Sequence, residues 1–254
     1  MVKKQYYRIV KELALTDFKL RYSSSILGYI WSFLHPLIFF AVLYFVFKVL
    51  FRFQQESYAL YLFLGILLWT YLAECTTRGM TSVKDKGGLI KKIIFPRQFV
   101  VYAANMTTSI SLLINIGIFL IFFFIAGGTV SWTWIFFPIY LAELIVLSLG
   151  IGLILASYFL KFRDLGHIWD VCLQLWFWLT PIWYPISQIP EKYRILMLSI
   201  NPMARLVTDA RNALIYHAVP TLRHQIINIA MVGIVLLIGY YVFKKRSKYF
   251  VDEL

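Results

Sequence analysis

Met106–Ala126 reads MTTSISLLINIGIFLIFFFIA, without a single Asp, Glu, Lys or Arg. A helix needs about 20 apolar residues to cross a hydrocarbon core roughly 30 Å thick. Only helices and closed barrels satisfy their backbone in that core, and this run lacks the alternation of a barrel strand. It reads as a transmembrane helix. Outward from it, five more apolar stretches follow the same rule: Tyr29–Leu50, Tyr58–Leu72, Trp132–Leu160, Ile168–Tyr184 and Ile226–Phe243. At 254 residues and 61% hydrophobic, the chain holds more apolar side chains than one soluble core could use. The expected fold is an all-α membrane protein with six transmembrane helices, forming one domain over residues 1–254.

The basic residues orient it. One set of loops and tails carries Lys3, Lys4, Arg8, Lys11, Lys19 and Arg21, then Arg78, Lys84, Lys86, Lys91, Lys92 and Arg97. It continues with Lys161 and Arg163, and ends with Lys244, Lys245, Arg246 and Lys248. The other set carries Lys48, Arg52, Lys192, Arg194, Arg205, Arg211 and Arg223, which makes eighteen against seven. The positive-inside rule then puts both termini in the cytoplasm, as an even number of spans requires. The net charge of +13 is thus mainly topological, with attraction to anionic lipid secondary, and it does not point to nucleic acid. Cys75 and Cys172 lie in or beside apolar runs and fit small core filler better than a disulfide or metal site. No cleavable signal peptide is expected, so the first span directs insertion.

Three segments outside the spans carry pattern. Over residues 1–28, Tyr6, Ile9, Val10 and Leu13 recur at helical spacing opposite Arg8, Lys11 and Glu12. This predicts an amphipathic interfacial helix, either a membrane anchor or a platform for a cytoplasmic partner. Over residues 81–98, Gly87-Gly88 breaks the chain and Leu89, Ile90, Ile93 and Ile94 flank Lys91 and Lys92. A short helix should form there and end before Pro96. It is either an interfacial turn or a docking element. Over residues 185–225, Pro190 starts one short helix, with Tyr193, Leu196, Met197 and Ile200 on one face. Asn201-Pro202 caps a second, with Leu206, Ala210 and Ala213 on one side and Arg205, Asp209 and Asn212 on the other. These external helices before the last span are gate-like, or simply thicken the outer surface. Ser148, Gly152 and Ala156, four apart, should let the fourth span approach a neighbour closely.

Catalytic chemistry is not visible. The four histidines form no metal-ligand spacing, and no G-x-x-x-x-G-K phosphate loop occurs, so ATP, if used, binds a different chain. Three acids touch the spans: Glu74, Asp170 and Glu143. The last is deepest, and is either functional or paired with an arginine for structure. Tyr29, Phe33, Phe40, Tyr44, Phe47 and Phe51 align on the first span, and Trp169, Trp176 and Trp183 recur every seven residues in the fifth. These rows are either packing or an aromatic-lined passage, since ring faces suit the C–H faces of sugars.

Leu15–Pro36 (LTDFKLRYSSSILGYIWSFLHP) resembles the approach to the first span in permease subunits of type 2 ABC exporters for polysaccharides. The matching residues are Asp17, Lys19, Arg21, Tyr22, Ser25, Leu27, Gly28, Trp31 and Pro36. Ile93–Arg97 (IIFPR) resembles the segment after their coupling helix. Asn201-Pro202 with Asp209, Ala210 and Arg211 resembles the segment before their last span. The likeness covers the whole chain and is nearest the Wzm-type O-antigen export permeases. It implies a homodimer in the bacterial inner membrane with two copies of a separate ATP-binding subunit that holds ATP and Mg, and no cofactor on this chain. The implied cargo is a polysaccharide on undecaprenyl diphosphate. Coupling would use Lys84, Asp85, Leu89, Ile90, Ile93, Phe95, Pro96 and Arg97. The pathway would use Tyr29, Phe33, Phe40, Tyr44, Phe47, Trp169, Trp176 and Trp183. The gate would use Tyr193, Met197, Asn201, Pro202, Arg205, Asp209 and Arg211. Teichoic acid, capsule, a small lipid or a drug as cargo leaves the topology unchanged. A membrane-embedded glycosyl- or acyltransferase would need a catalytic acid or histidine.

The orientation is testable. With Cys75 and Cys172 replaced, single cysteines near each terminus should react with an impermeant maleimide only from the cytoplasmic side, and one within Gly127–Ser131 only from outside. Termini on opposite faces would contradict the topology.

Overall fold

The computed structural model of the chain describes residues 2–22, 28–92 and 95–253. Of the motif residues above, Ser25, Leu27, Ile93 and Ile94 lie outside the described residues, as do the side chains of Tyr6, Tyr22 and Tyr29. The helices, in order, are α1 (Val2–Tyr22), α2 (Trp31–Tyr44), α3 (Tyr58–Asp85), α4 (Gly87–Lys92), α5 (Gln98–Ile125), α6 (Phe137–Phe159), α7 (Leu165–Trp178), α8 (Glu191–Ile200), α9 (Pro202–Leu214), α10 (Leu222–Arg246) and α11 (Phe250–Glu253). Six residues of wider π turns, Phe45–Leu50, continue α2. Gly28 opens the turn before α2 at φ +48°, a left-handed conformation that glycine adopts without strain.

Five helical stretches are long and apolar enough to cross a membrane: Phe33–Leu50, Tyr58–Asp85, Gln98–Ile125, Trp132–Phe159 and Leu222–Tyr249. The chain is a multi-pass membrane protein. At 28 residues each, α3 and α5 run about 42 Å, longer than the apolar runs Tyr58–Leu72 and Met106–Ala126 that announce them. The excess projects beyond the apolar layer and carries α4 between them.

The sixth apolar stretch behaves differently. Ile168–Tyr184 reads as one span, yet α7 has 14 residues and stops at Trp178. Pro181 is the cause: it has no N–H to donate and bars Thr180 from helical geometry. The segment nevertheless runs along most of α3. Trp169 Nε1 donates to Thr76 Oγ1 (3.1 Å), Trp176 meets the Trp69 ring edge-on at 5.7 Å, and Tyr58 donates to the Trp183 carbonyl (2.9 Å).

Over Tyr58–Leu72 helix α3 is apolar on all sides and almost wholly buried, so it forms the axis of the bundle. Two close approaches set its neighbours. Gly79 of α3 lies against Gly152 of α6, where an added Cβ would sit 3.1 Å from the facing Cα. Ser148, Gly152 and Ala156 are all buried, as their spacing predicts. A second approach is tighter and sits on the other face of α6: a Cβ on Gly239 of α10 would come within 2.3 Å of the Gly150 carbonyl oxygen.

Polar groups inside the bundle are met locally. Thr107, Ser148 and Ser157 donate back to the carbonyls of Ala103, Leu144 and Leu153. Asn105 Nδ2 ties α5 to α3 and α6 through Cys75 Sγ (3.1 Å) and the Ile145 carbonyl (3.2 Å). Glu143 corrects the expectation of an arginine partner: its Oε1 accepts from Gln225 Nε2 of α10. A neutral amide from the adjacent helix reaches it without bringing a second charge into the bundle.

The glycine contacts predict a contrast. Gly239→Ala should lose about 1–3 kcal/mol from overpacking against α6. Gly233→Ala in the same helix, whose Cβ would meet nothing within 4 Å, should not. Thermal unfolding in detergent compares them, and equal losses would refute the close approach.

Candidate functional site

At the α4 end, α1 lies along α5. Ala14 is fully buried, and its carbonyl accepts from Thr107 Oγ1 (3.2 Å). Charge pairs dock α1: Arg21 Nη1 meets Glu74 Oε1 at 2.5 Å, Arg78 Nε meets the same oxygen at 2.8 Å, and Asp17 Oδ1 accepts from Lys86 Nζ. Such partly exposed pairs are worth about 0–1 kcal/mol each, so their main effect is orientation. They join residues of the Asp17–Arg21 motif to the α3–α4 corner. Between α1 and α4 lies a groove of about 510 Å³, with Ile9, Leu13, Leu89 and Phe95 as its apolar floor and Arg8, Glu12, Asp17 and Lys86 at its rim.

The expected short helix is present as α4. Ile90 is buried, Leu89, Phe95, Pro96 and Arg97 are half-buried, and Lys84 and Asp85 are exposed. Asp85 accepts from Thr81 Oγ1 (2.8 Å), Lys84 Nζ stands 5.8 Å from the Phe159 ring, and Arg97 donates to the Ser247 carbonyl near the C-terminus. Lys19 and Trp31 are exposed, and Pro36 is buried inside α2. Lys86 was not distinguishable from its neighbours by sequence, although its contact with Asp17 holds the corner together.

The aromatic rows meet each other. Phe40 packs on Phe63 (5.0 Å) and Phe122 (6.0 Å), Tyr44 on Tyr58 (6.3 Å), and Phe47 stacks on Trp183 (4.6 Å, 19°). Phe33 is half-buried. Trp169 and Trp176 are 6.4 Å apart, and Trp176 Nε1 donates to Asn201 Oδ1 (2.9 Å). The rows therefore bridge α2, α3, α5 and the α7 segment, with Phe40, Tyr44, Phe47, Trp169, Trp176 and Trp183 half-buried.

At the opposite end, Asn201 caps α9 as its sequence predicts, with Oδ1 accepting from the Ala204 N–H (3.1 Å). Tyr193, Leu196, Met197 and Ile200 of α8 line an apolar groove of about 700 Å³ with Trp176 and Tyr184. Helix α9 departs from the expectation of one polar, solvent-facing side. It is enclosed by α3, α6, α8 and α10, so Arg205 is 8% exposed and Arg211 is 1% exposed. Arg205 Nε donates to the Leu198 carbonyl and Nη1 to Asn228 Oδ1 (3.3 Å), and Asn228 Nδ2 donates to Asp209 Oδ2 (2.6 Å). Burial pushes the Asp209 carboxyl above the usual aspartate range, opposed by Asn228, His224 and Arg205.

Arg211 is the focus of this end. Its Nε donates to the Tyr61 carbonyl (3.0 Å), Nη2 to the Ile182 carbonyl (2.8 Å) and Nη1 to the Pro181 carbonyl. The guanidinium carbon stands 3.3 Å from the Tyr61 ring centre, and Tyr61 donates its own hydroxyl to the Tyr184 carbonyl (2.8 Å). Among the described residues no carboxylate pairs with it; carbonyl dipoles and a ring face balance the charge. Desolvation lowers its affinity for the proton, yet guanidinium remains charged in proteins. Two of the three carbonyls belong to the irregular turn after α7. Sequence reading locates the arginine but not these backbone partners, which arise only from the break at Pro181.

The family model of the ABC-2 type transporter matches residues 9–215. The "O-antigen export system permease protein RfbA" of Klebsiella pneumoniae is 32% identical over 94% of this chain and 92% of its own length. The protein of the same name from Myxococcus xanthus is 29% identical over 98% and 96%. The "Polysialic acid transport protein KpsM" of Escherichia coli is 23% identical over 80% of each.

Arg211→Met would leave the buried Ile182 carbonyl without a donor, at about 1–3 kcal/mol, and take one of the donors from the Pro181 and Tyr61 carbonyls, so it should lower the melting temperature clearly. Tyr61→Phe removes one hydroxyl and should cost about 1–3 kcal/mol. Thermal unfolding of the purified variants checks both; an Arg211→Met protein as stable as the parent would contradict the arrangement.

Proposed function

The chain belongs to the ABC-2 type transporter family, and from that premise we propose that it is the membrane subunit of an ATP-driven exporter of O-antigen-type polysaccharide. The observation that carries this is similarity along nearly its whole length to permeases named for O-antigen export. The polysaccharide travels on a lipid diphosphate carrier from the cytoplasm to the outer face of the bacterial inner membrane. The more distant likeness to a polysialic acid transport protein favours capsule polysaccharide as the second reading.

The chain has no phosphate loop, so a separate ABC subunit binds ATP and Mg, two copies serving a homodimer of this chain. Eighteen basic residues on one side support a cytoplasmic face there, and that subunit docks on the α1–α4 groove and on residues 84–97. Closure of the ATP-binding subunits pushes on α4, and the Asp17–Lys86 contact passes the motion to α1 and to α3, the axis of the bundle. The α7 segment completes a sixth crossing: 14 helical residues and the turn to Tyr184 follow α3 from Thr76 to Tyr58.

The glycan moves along the aromatic rows, with Tyr29, Phe33, Phe40, Tyr44, Phe47, Trp169, Trp176 and Trp183 as its pathway residues. Ring faces hold sugar C–H surfaces without the directional bonds that would arrest a polymer. At the outer end α8 and α9, with Tyr193, Met197, Asn201, Pro202, Arg205, Asp209 and Arg211, act as the gate.

Co-expression with the ABC ATPase encoded beside it should yield a complex whose ATP hydrolysis is lost when the partner's phosphate loop is mutated. Asp17→Lys should weaken that complex, and adding Lys86→Asp should restore it. Absence of any complex, or hydrolysis by this chain alone, would refute the proposal.

A further inference from the structure

Between the outer ends of α6, α9 and α10 lies a buried acid, Glu143, that the export reading does not use. Glu143 is 6% exposed. Its Oε1 accepts from Gln225 Nε2, while its Oε2 and Gln225 Oε1 are both buried with no partner in the protein. Two acceptors on contacting side chains are therefore left without a donor. Turning the Gln225 amide over does not help, because two oxygens would then meet across the existing contact. One hydrogen settles both: a carboxylic O–H on Glu143 donates to Gln225 Oε1 while the amide N–H donates back, closing an acid–amide ring with two hydrogen bonds.

The charge count points the same way. Among the described residues, Asp209 of α9 and Tyr140 on its own helix act on Glu143, while Arg205 of α9 and His224 of α10 face Asp209. With both carboxylates ionised, two negative charges stand near each other, and the neighbouring cations serve Asp209 rather than Glu143. An unbalanced buried carboxylate is costly.

We propose that Glu143 is a proton-binding site, and that the bound proton latches α10 to α6 beside the Arg205–Asn228–Asp209 network that anchors α9. In the latched state the acid–amide ring spans α6 and α10. Loss of the proton leaves the Glu143 carboxylate beside Asp209, breaks one bond of the ring and loosens the helix pair at the outer face. The neutral form is the one bonded in the folded protein, so stability is present at low pH and falls as pH rises through the titration of Glu143.

Infrared difference spectra of the full chain in nanodiscs test this directly. The parent minus Glu143→Gln should show a protonated carboxyl band at neutral pH that disappears on alkalinisation, and Asp209→Asn should move that disappearance to lower pH by removing the neighbouring negative charge. Melting temperature should fall with rising pH in the parent and stay flat in Glu143→Gln, which keeps the paired amide geometry. Three outcomes would overturn the proposal. One is an ionised Glu143 throughout, as a water-bridged carboxylate would give. Another is a destabilised Glu143→Gln with the parent's pH slope. The third is recovery of stability at alkaline pH on adding sodium, potassium or calcium, which would make the occupant a metal ion.

Discussion

A guanidinium sealed among helices, bonded to three main-chain carbonyls, is the contact on which the α8–α9 half of this molecule depends. Hydrocarbon tolerates non-helical backbone only where the protein itself satisfies the freed polar groups. Pro181 ends α7 at Trp178 and so exposes the carbonyls of Pro181 and Ile182. Arg211 answers both and adds the Tyr61 carbonyl from α3. Its planar fork spreads donors over three nitrogens, each meeting a different carbonyl, whereas a lysine offers a single nitrogen. The charge is tolerated because dipoles and the Tyr61 ring surround it.

That contact makes three elements move as one. Helix α9 is fixed to the axis through Arg211 and Tyr61, to the α7 turn through Pro181 and Ile182, and to α10 through Arg205, Asn228 and Asp209. At the other end, α1 is fixed to α3 and α4 by Glu74 and by the Asp17–Lys86 pair. Helix α3 joins the two ends without interruption over 28 residues. A displacement at α4 therefore has a rigid route to the α8–α9 end, with few loose joints between. Packing at Gly79–Gly152 and Gly150–Gly239 keeps that route straight by bringing backbones into contact.

Much of this is legible in the sequence. Apolar runs announce the helices because lipid demands long uninterrupted hydrophobicity, and Asn201-Pro202 announces α9 because a cap and a preset φ have local causes. The short helix before Pro96 is readable for the same reason. What escapes is set by distant partners. Hydropathy carries Ile168–Tyr184 through as one span, since it does not register the N–H that Pro181 lacks. Helical spacing turns Arg205 outward, since it assumes a solvent side that α9, enclosed by four helices, does not have. The Gly150–Gly239 contact joins residues far apart in the chain and leaves no local spacing to find. Glu143 is visible as a buried acid, but its partner is a glutamine on the last helix rather than a nearby arginine. The aromatic rows are visible as spacing, whereas their stacking across two helices, as at Phe47 and Trp183, is not.

The central claim is that this chain is a conduit for a lipid-linked glycan, driven by nucleotide bound elsewhere. Reconstitution tests it most directly: vesicles holding this chain, its ABC partner and the lipid-linked polysaccharide, with lectin binding reporting glycan on the face opposite the ATPase. The account predicts that glycan reaches that face only when ATP and both proteins are present, and not with a partner unable to hydrolyse ATP. Glycan crossing without the partner, or none crossing with every component present and ATP being consumed, would contradict it.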